Sequence, residues 1–171
     1  AMAERCPAGL AVRLGQTLDA RTHCLIAFDE GAEPDETLPP ALSERLAFFV
    51  ALDDIPLAAS GFTTLDLDAI EAARARLPSV TLAPEQAEEL ALVAAQCGIG
   101  SLRAPLLAMA AAKASAALFG RLSVYASDLE RAAALVYSHK YLINNYFIPE
   151  PEEPPPPPDQ TPDEQPGAIA D

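Results

Sequence analysis

The chain has 171 residues, half of them apolar, with 25 acidic against 11 basic side chains and a formal charge of −14. That is enough for one domain with a real core, and abundant Ala and Leu, scarce aromatics and no Trp favour packed helices over a sandwich or barrel. So acidic a chain lacks the Lys and Arg that phosphate backbones and anionic lipid surfaces need, which argues against nucleic acid and the membrane surface as partners.

The first five residues, Ala1-Met2-Ala3-Glu4-Arg5, read as the middle of a helix, with further sequence expected upstream. They carry charge and no long apolar run, so they are not a signal peptide. Leu10, Leu14 and Leu18 recur at helical spacing and predict a helix over Ala8–Asp19. The run HCLIAF predicts a buried strand over 22–28, with His23 as a satisfied core histidine. An acid-rich loop over 29–39 follows. Pro40, well suited to a first helical position, opens a short helix over 40–46. Residues 48–52 predict a second apolar strand, and 67–77 a helix.

The last third reads as a helical bundle. Pro84 opens a helix over Pro84–Gln96, closed by Gly98. Ser101 is the expected N-cap of a helix over 102–119, closed by Gly120. This longest apolar stretch holds Arg103 and Lys113, so it is a buried helix and not a membrane span. Ser127 and Glu130 have capping-box spacing at the start of a helix over 128–144, near whose end His139 lies. From Pro149 onward there are nine prolines, seven acids and no Lys or Arg. Such a segment cannot bury enough apolar surface to order itself, so it reads as a disordered linker with a stiff polyproline run at 154–158.

Cys6, Cys24 and Cys97 are odd in number, far apart and set among apolar residues, as reduced core thiols of a cytosolic protein would be. No residue set has metal-ligand spacing, and the acids at 33–36 and 53–54 read as solvated loops.

Two arginines stand out. Arg45 ends the short helix just before the second strand. Arg103 lies in the first turn of a long helix, where the dipole disfavours a cation. A phosphate there would satisfy both the helix N-terminus and the guanidinium fork; a neighbouring carboxylate would also answer the charge.

The stretches ARTHCLIAFDEGAEPDETLPPALSERLAFFVAL and LPSVTLAPEQAEELALVAAQCGIGSLRAPLLAMAAAKASAALFGRLSVYASDLERAAALVYSHK resemble the AAA+ modules of magnesium chelatase, over about residues 20–140. In that family the first stretch ends in an Asp-Arg-Phe triplet whose arginine reaches the neighbouring subunit's nucleotide. Glu44-Arg45-Leu46 stands in its place, so the resemblance implies that Arg45 is an arginine finger acting in trans. Gly98 to Ala104 fits the Gly-x-x-x-x-Arg-Ala pattern of the helical lid, which implies that Arg103 is a sensor-2 residue contacting nucleotide phosphate. The acidic Pro-rich tail resembles the linker of the D-type subunit.

There are departures. The first strand runs into Phe28-Asp29-Glu30-Gly31 without the water-orienting Asn, and no GxxxxGK[ST] phosphate loop occurs in these residues.

The fold so implied is an α/β AAA+ module fragment. It comprises a partial parallel sheet with helices over 1–60, a mostly α-helical lid over 61–146 and the Pro-rich linker over 147–171. The function implied is a platform and assembly subunit in the ATP-dependent insertion of Mg²⁺ into protoporphyrin IX, in (bacterio)chlorophyll biosynthesis. The chelatase as a whole is a ligase; this fragment alone is expected not to hydrolyse ATP. ATP with Mg²⁺ at subunit interfaces, the partner ATPase subunit, the large porphyrin-binding subunit and self-association into a ring are implied in the same way. So is a cytoplasmic location, or the plastid stroma in a plant or alga. A MoxR-type AAA+ chaperone and a helical adaptor without a nucleotide role are the alternatives.

Overall fold

The computed structural model describes residues 2–20, 23–33, 36–52, 55–56 and 65–146. The described helices are α1 (Ala8–Asp19), α2 (Pro40–Ser43), α3 (Leu67–Arg76), α4 (Pro84–Gln96), α5 (Arg103–Leu118) and α6 (Ala126–Tyr146), with 3-10 turns at Ala3–Arg5 and Leu77–Ser79. The fold is mostly helical, and α3–α6 form the lid-like bundle.

The first residues form only that one 3-10 turn, not the middle of a helix. The turn is tied to the acidic loop: Ala3 N–H donates to the Phe28 carbonyl at 2.9 Å, and Arg5 meets Glu36 at 3.3 Å. α1 begins and ends where the leucine spacing puts it, but the leucines are not its inner face. Ala11 and Gly15, one turn apart, are buried, whereas Leu10 is half exposed. Small residues win here because α2 comes so close. A Cβ at Gly15 would stand 3.1 Å from both the Ala41 carbonyl oxygen and Arg45 Nε. α2 itself is shorter than the expected 40–46 and stops at Ser43. A hydrogen-bonded turn continues it, with Arg45 N–H and Leu46 N–H both on the Leu42 carbonyl at 2.8 and 3.1 Å.

The two expected strands are not formed. Residues 23–28 and 48–52 are non-helical backbone with no strand alongside among the described residues. A strand exists through the hydrogen bonds of its neighbour, and an apolar run cannot supply those by itself. Ile26 and Val50 accordingly stand 75% and 74% exposed. His23 and Cys24 are exposed too, so neither is a core residue. All three cysteines are free thiols, with Cys6 and Cys97 half-buried. The acidic pair 53–54 and the Pro-rich segment 147–171 lie outside the described residues.

The core lies in the bundle. Ala104, Ala108, Ala112 and Ala116 recur every fourth residue along α5 and are fully buried. This small-residue stripe lets α6 pack close, with Leu129, Ala132, Val136 and Tyr137 in the same cluster. Leu90 and Ala94 of α4 and Ala73 of α3 complete it. The Tyr137 hydroxyl donates to the Leu90 carbonyl at 2.9 Å, and burial pushes its pKa up to about 12.

Gly98 and Gly120 end α4 and α5 at φ of 69° and 75°, the left-handed region that a side chain strains. Two connecting strands of chain then touch in an isolated parallel bridge, Thr81 with Ser123. Arg76 reaches across to the Ala117 carbonyl at 2.7 Å, answering an open end of α5.

Candidate functional site

Both arginines singled out in the sequence point at one carboxylate. Arg45 donates from Nε to Asp19 Oδ1 and Oδ2 at 3.2 and 3.1 Å, and from Nη2 to Oδ2 at 2.8 Å. Arg103 donates from Nη1 to Oδ1 at 2.7 Å and from Nη2 to Oδ2 at 3.3 Å. The remaining terminal nitrogen of Arg45 is fixed by the Ala41 carbonyl at 2.8 Å. Its stem lies against Gly15, which makes room for it.

Helix ends explain the cluster. Asp19 is the last residue of α1 and Arg103 the first of α5. A carboxylate at a helix C-terminus and a cation at an N-terminus are each unfavourable alone. Here each answers the other. Ser101, the expected N-cap, contributes only a long 3.4 Å contact to Arg103 N–H, and Leu102 holds the cap position. The Arg45 and Arg103 hydrogen bonds, in that order, hold the Asp19 carboxyl below its ordinary range. Asp19 in turn raises Arg45. The side chains are 39%, 20% and 42% exposed for Asp19, Arg45 and Arg103, so solvent and solutes reach the cluster. Glu44, next to Arg45 in the chain, adds a second negative charge to its surroundings.

Two further clusters were not legible as such. The start of α6 depends on Asp128 and not on Ser127 with Glu130. Asp128 has no exposed surface and accepts from Arg121 at 2.7 and 2.8 Å, from Ser115 Oγ at 2.7 Å and from Tyr125 N–H at 2.9 Å. Burial pushes its pKa up most strongly, yet the hydrogen bonds from Arg121, Tyr125 and Ser115 together hold it below the ordinary value. Arg121 lies over the Phe119 and Tyr125 rings at 5.5 and 4.5 Å. This network ties the α5–α6 corner.

Near the end of α6, His139 stacks on Phe49 at 3.8 Å, and Lys140 donates to the Ser43 carbonyl at 3.0 Å. Desolvation lowers the pKa of both side chains. These contacts and the Asp19–Arg103 pair join the α1–α2 region to the bundle.

An anion is what the arginine pair can receive. An oxyanion such as phosphate suits the donor set, because two guanidinium forks face the same point. Among the described residues no group of three or more His, Cys, Asp or Glu side chains is placed to hold a metal ion. Asp19 and Gly15 are the residues of the cluster that sequence reading missed. The signal that could have found Asp19 is its placement at the wrong end of α1.

Residues 87–165 match the AAA lid domain, a span that holds most of α4 and all of α5 and α6. The chain is 54% identical over 163 residues to the magnesium-chelatase 60 kDa subunit of Cereibacter sphaeroides, covering 95% of this chain and 29% of that protein. It is 46% identical over 141 residues to the magnesium-chelatase 60 kDa subunit of Rhodobacter capsulatus, covering 82% of this chain and 25% of that protein. Over the stretch it shares with them, the chain belongs to the family of the magnesium-chelatase 60 kDa subunits, and it spans less than a third of their length. No solved structure matches it. Among the described residues no helix is long and apolar enough to cross a membrane.

Proposed function

We propose that this chain is part of a magnesium-chelatase platform subunit and that it presents Arg45 and Arg103 to nucleotide phosphate at the interfaces of an AAA+ ring. In that complex, ATP turnover drives insertion of Mg²⁺, the substrate metal, into protoporphyrin IX on the way to bacteriochlorophyll. The observation that supports this reading best is the convergence of the two arginines. They come from opposite sides of the chain, 84 residues separate Arg103 from Asp19, and yet both forks meet on one anion.

The rest of the reading follows from family likeness. The partners are the ATPase subunit of the complex and its large porphyrin-binding subunit, in a ring that includes further copies of this chain, in the cytoplasm. The extended segments 23–28 and 48–52 are edges of a parallel sheet in the intact module, where neighbouring strands supply the ladder and cover Ile26, Phe28, Phe48 and Val50. Residues 147–171 act as the linker beyond the lid. ATP with Mg²⁺ binds at the ring interfaces, with its phosphate loop outside residues 1–171. Arg45 then acts on nucleotide held by a neighbour, where charge on a transferring phosphoryl group is worth ~10³-fold or more in rate.

One observation favours a second reading, a helical adaptor with no nucleotide role: Asp19 already satisfies both arginines within the chain. The test uses the full-length subunit bearing Arg45→Ala or Arg45→Lys, mixed with wild-type partners. Mg²⁺ insertion and ATP turnover should fall in both, more in the Ala variant, because Lys keeps the charge but loses the fork. Wild-type rates in both variants, with assembly intact, would establish the adaptor reading instead.

A further inference from the structure

The Asp19 carboxylate occupies the parts of the two arginines that a phosphate would need. A guanidinium reads an oxyanion with paired, parallel N–H groups. On Arg45 the Nε/Nη2 edge is spent on Asp19, and Nη1 is held by the Ala41 carbonyl. On Arg103 the Nη1/Nη2 end is spent on the same group. Asp19 is therefore in direct competition with any incoming oxyanion. Its side chain is 39% exposed and that of Arg103 42%, so the pairs are solvated and yield to a stronger partner. A polyphosphate is such a partner, carrying several charges where Asp19 carries one. Asp19 reaches α5 through the side chain of its first residue, Arg103.

We infer that Asp19 is an internal stand-in for phosphate. It holds Arg45 and Arg103 together, masked, until a polyphosphate displaces it. This rests on the reading of the two arginines as phosphate-facing and adds a regulator to it. The displacement has a mechanical consequence. Asp19 belongs to α1 and Arg103 to the lid, so the same event breaks one of the ties between them. The lid end of that tie is released while Lys140 remains on the Ser43 carbonyl and His139 on Phe49. Nucleotide arrival and lid position are thereby linked through one side chain.

The test is titration of the full chain with inorganic tripolyphosphate at fixed ionic strength, wild type against Asp19→Asn. Removing the competitor should tighten binding about tenfold, the combined weight of two partly exposed ion pairs. Adding Arg45→Ala to Asp19→Asn should abolish the gain. Binding by Asp19→Asn no tighter than wild type, including none measurable in either, overturns the inference. A second measurement needs no variant. In the wild type, tripolyphosphate should shift the NMR signals of the Arg45 and Arg103 guanidiniums and of the Asp19 carboxyl carbon together. Guanidinium shifts with the Asp19 carboxyl unmoved would show that the carboxylate stays in place, and would overturn the inference as well. The two claims fail separately. If Asp19→Asn gains nothing but Arg45→Ala in the full-length subunit still stops chelation, only the stand-in role falls. If Asp19→Asn gains affinity through Arg45 while Arg45→Ala chelates normally, the stand-in chemistry holds and the functional reading falls.

Discussion

The bundle formed by α3–α6 closes around a core of its own, although Leu92, Leu102 and Leu106 stay exposed on it, while the α1–α2 region leaves most of its apolar residues outside. Ala104, Ala108, Ala112 and Ala116 of α5 and Val136 of α6 are fully buried, whereas Phe28, Phe48 and Leu52 are more than half exposed. Among the described residues of the α1–α2 region, Ala11 and Leu42 are the buried apolar side chains. The difference is between two kinds of closure. A helix satisfies its backbone within itself, so four helices with matching apolar faces complete one another inside a single chain. A strand satisfies its backbone only through its neighbours, so an apolar run without a ladder stays extended and wet. The candidate site lies where the two regions meet, and it is held by ion pairs instead of a shared core.

The comparison can be broken most severely at Asp128. Asp128→Asn leaves Arg121 without its carboxylate in a buried corner of the bundle and should cost about 3 kcal/mol of stability, read by chemical unfolding. A loss within 0.5 kcal/mol, the ordinary range for surface changes, would mean that the corner is not what closes the bundle. Ala112→Leu should cost about 2 kcal/mol, because the α5 stripe has no room for a larger side chain where α6 approaches. Unchanged unfolding would contradict the close α5–α6 packing.

Acid should act on the same corner. The Asp128 carboxyl titrates below its ordinary value of 3.8 in the folded chain. Its stabilisation is therefore complete above that value and is lost as pH falls through the folded one. The stability gap between wild type and Asp128→Asn should be constant near neutrality and close only in that acidic window; a gap that closes near pH 6 would point to a different group. The smallest effect is expected in the other region. Val50→Ala, at a side chain 74% exposed, should change stability by less than about 0.5 kcal/mol. A large loss would show that this segment is packed after all.

The helices of the bundle were readable because their signals are local. Pro84 and Gly98 bound α4, and Gly120 follows α5, each through backbone chemistry of its own position. The start of α6 was read from Ser127 and Glu130, but Asp128 performs that role because Arg121 and Ser115 reach it from the preceding turn and helix. The two arginines were found by position and family likeness. Their shared partner was not, since Asp19 is 26 residues from Arg45 and 84 from Arg103, and no periodicity spans such distances. HCLIAF and FFVAL carry the composition of buried strands, but composition says nothing of whether a neighbour is present, and among the described residues neither run has one.

The account stands or falls on whether Arg45 and Arg103 act on one anion. A double-mutant cycle in the full-length subunit, read as the rate of Mg²⁺ insertion by the assembled complex, measures this directly. The account predicts that Arg45→Ala and Arg103→Ala each slow insertion and that the double variant is little slower than the worse single one. Fully multiplicative losses, or single variants at the wild-type rate, would contradict it.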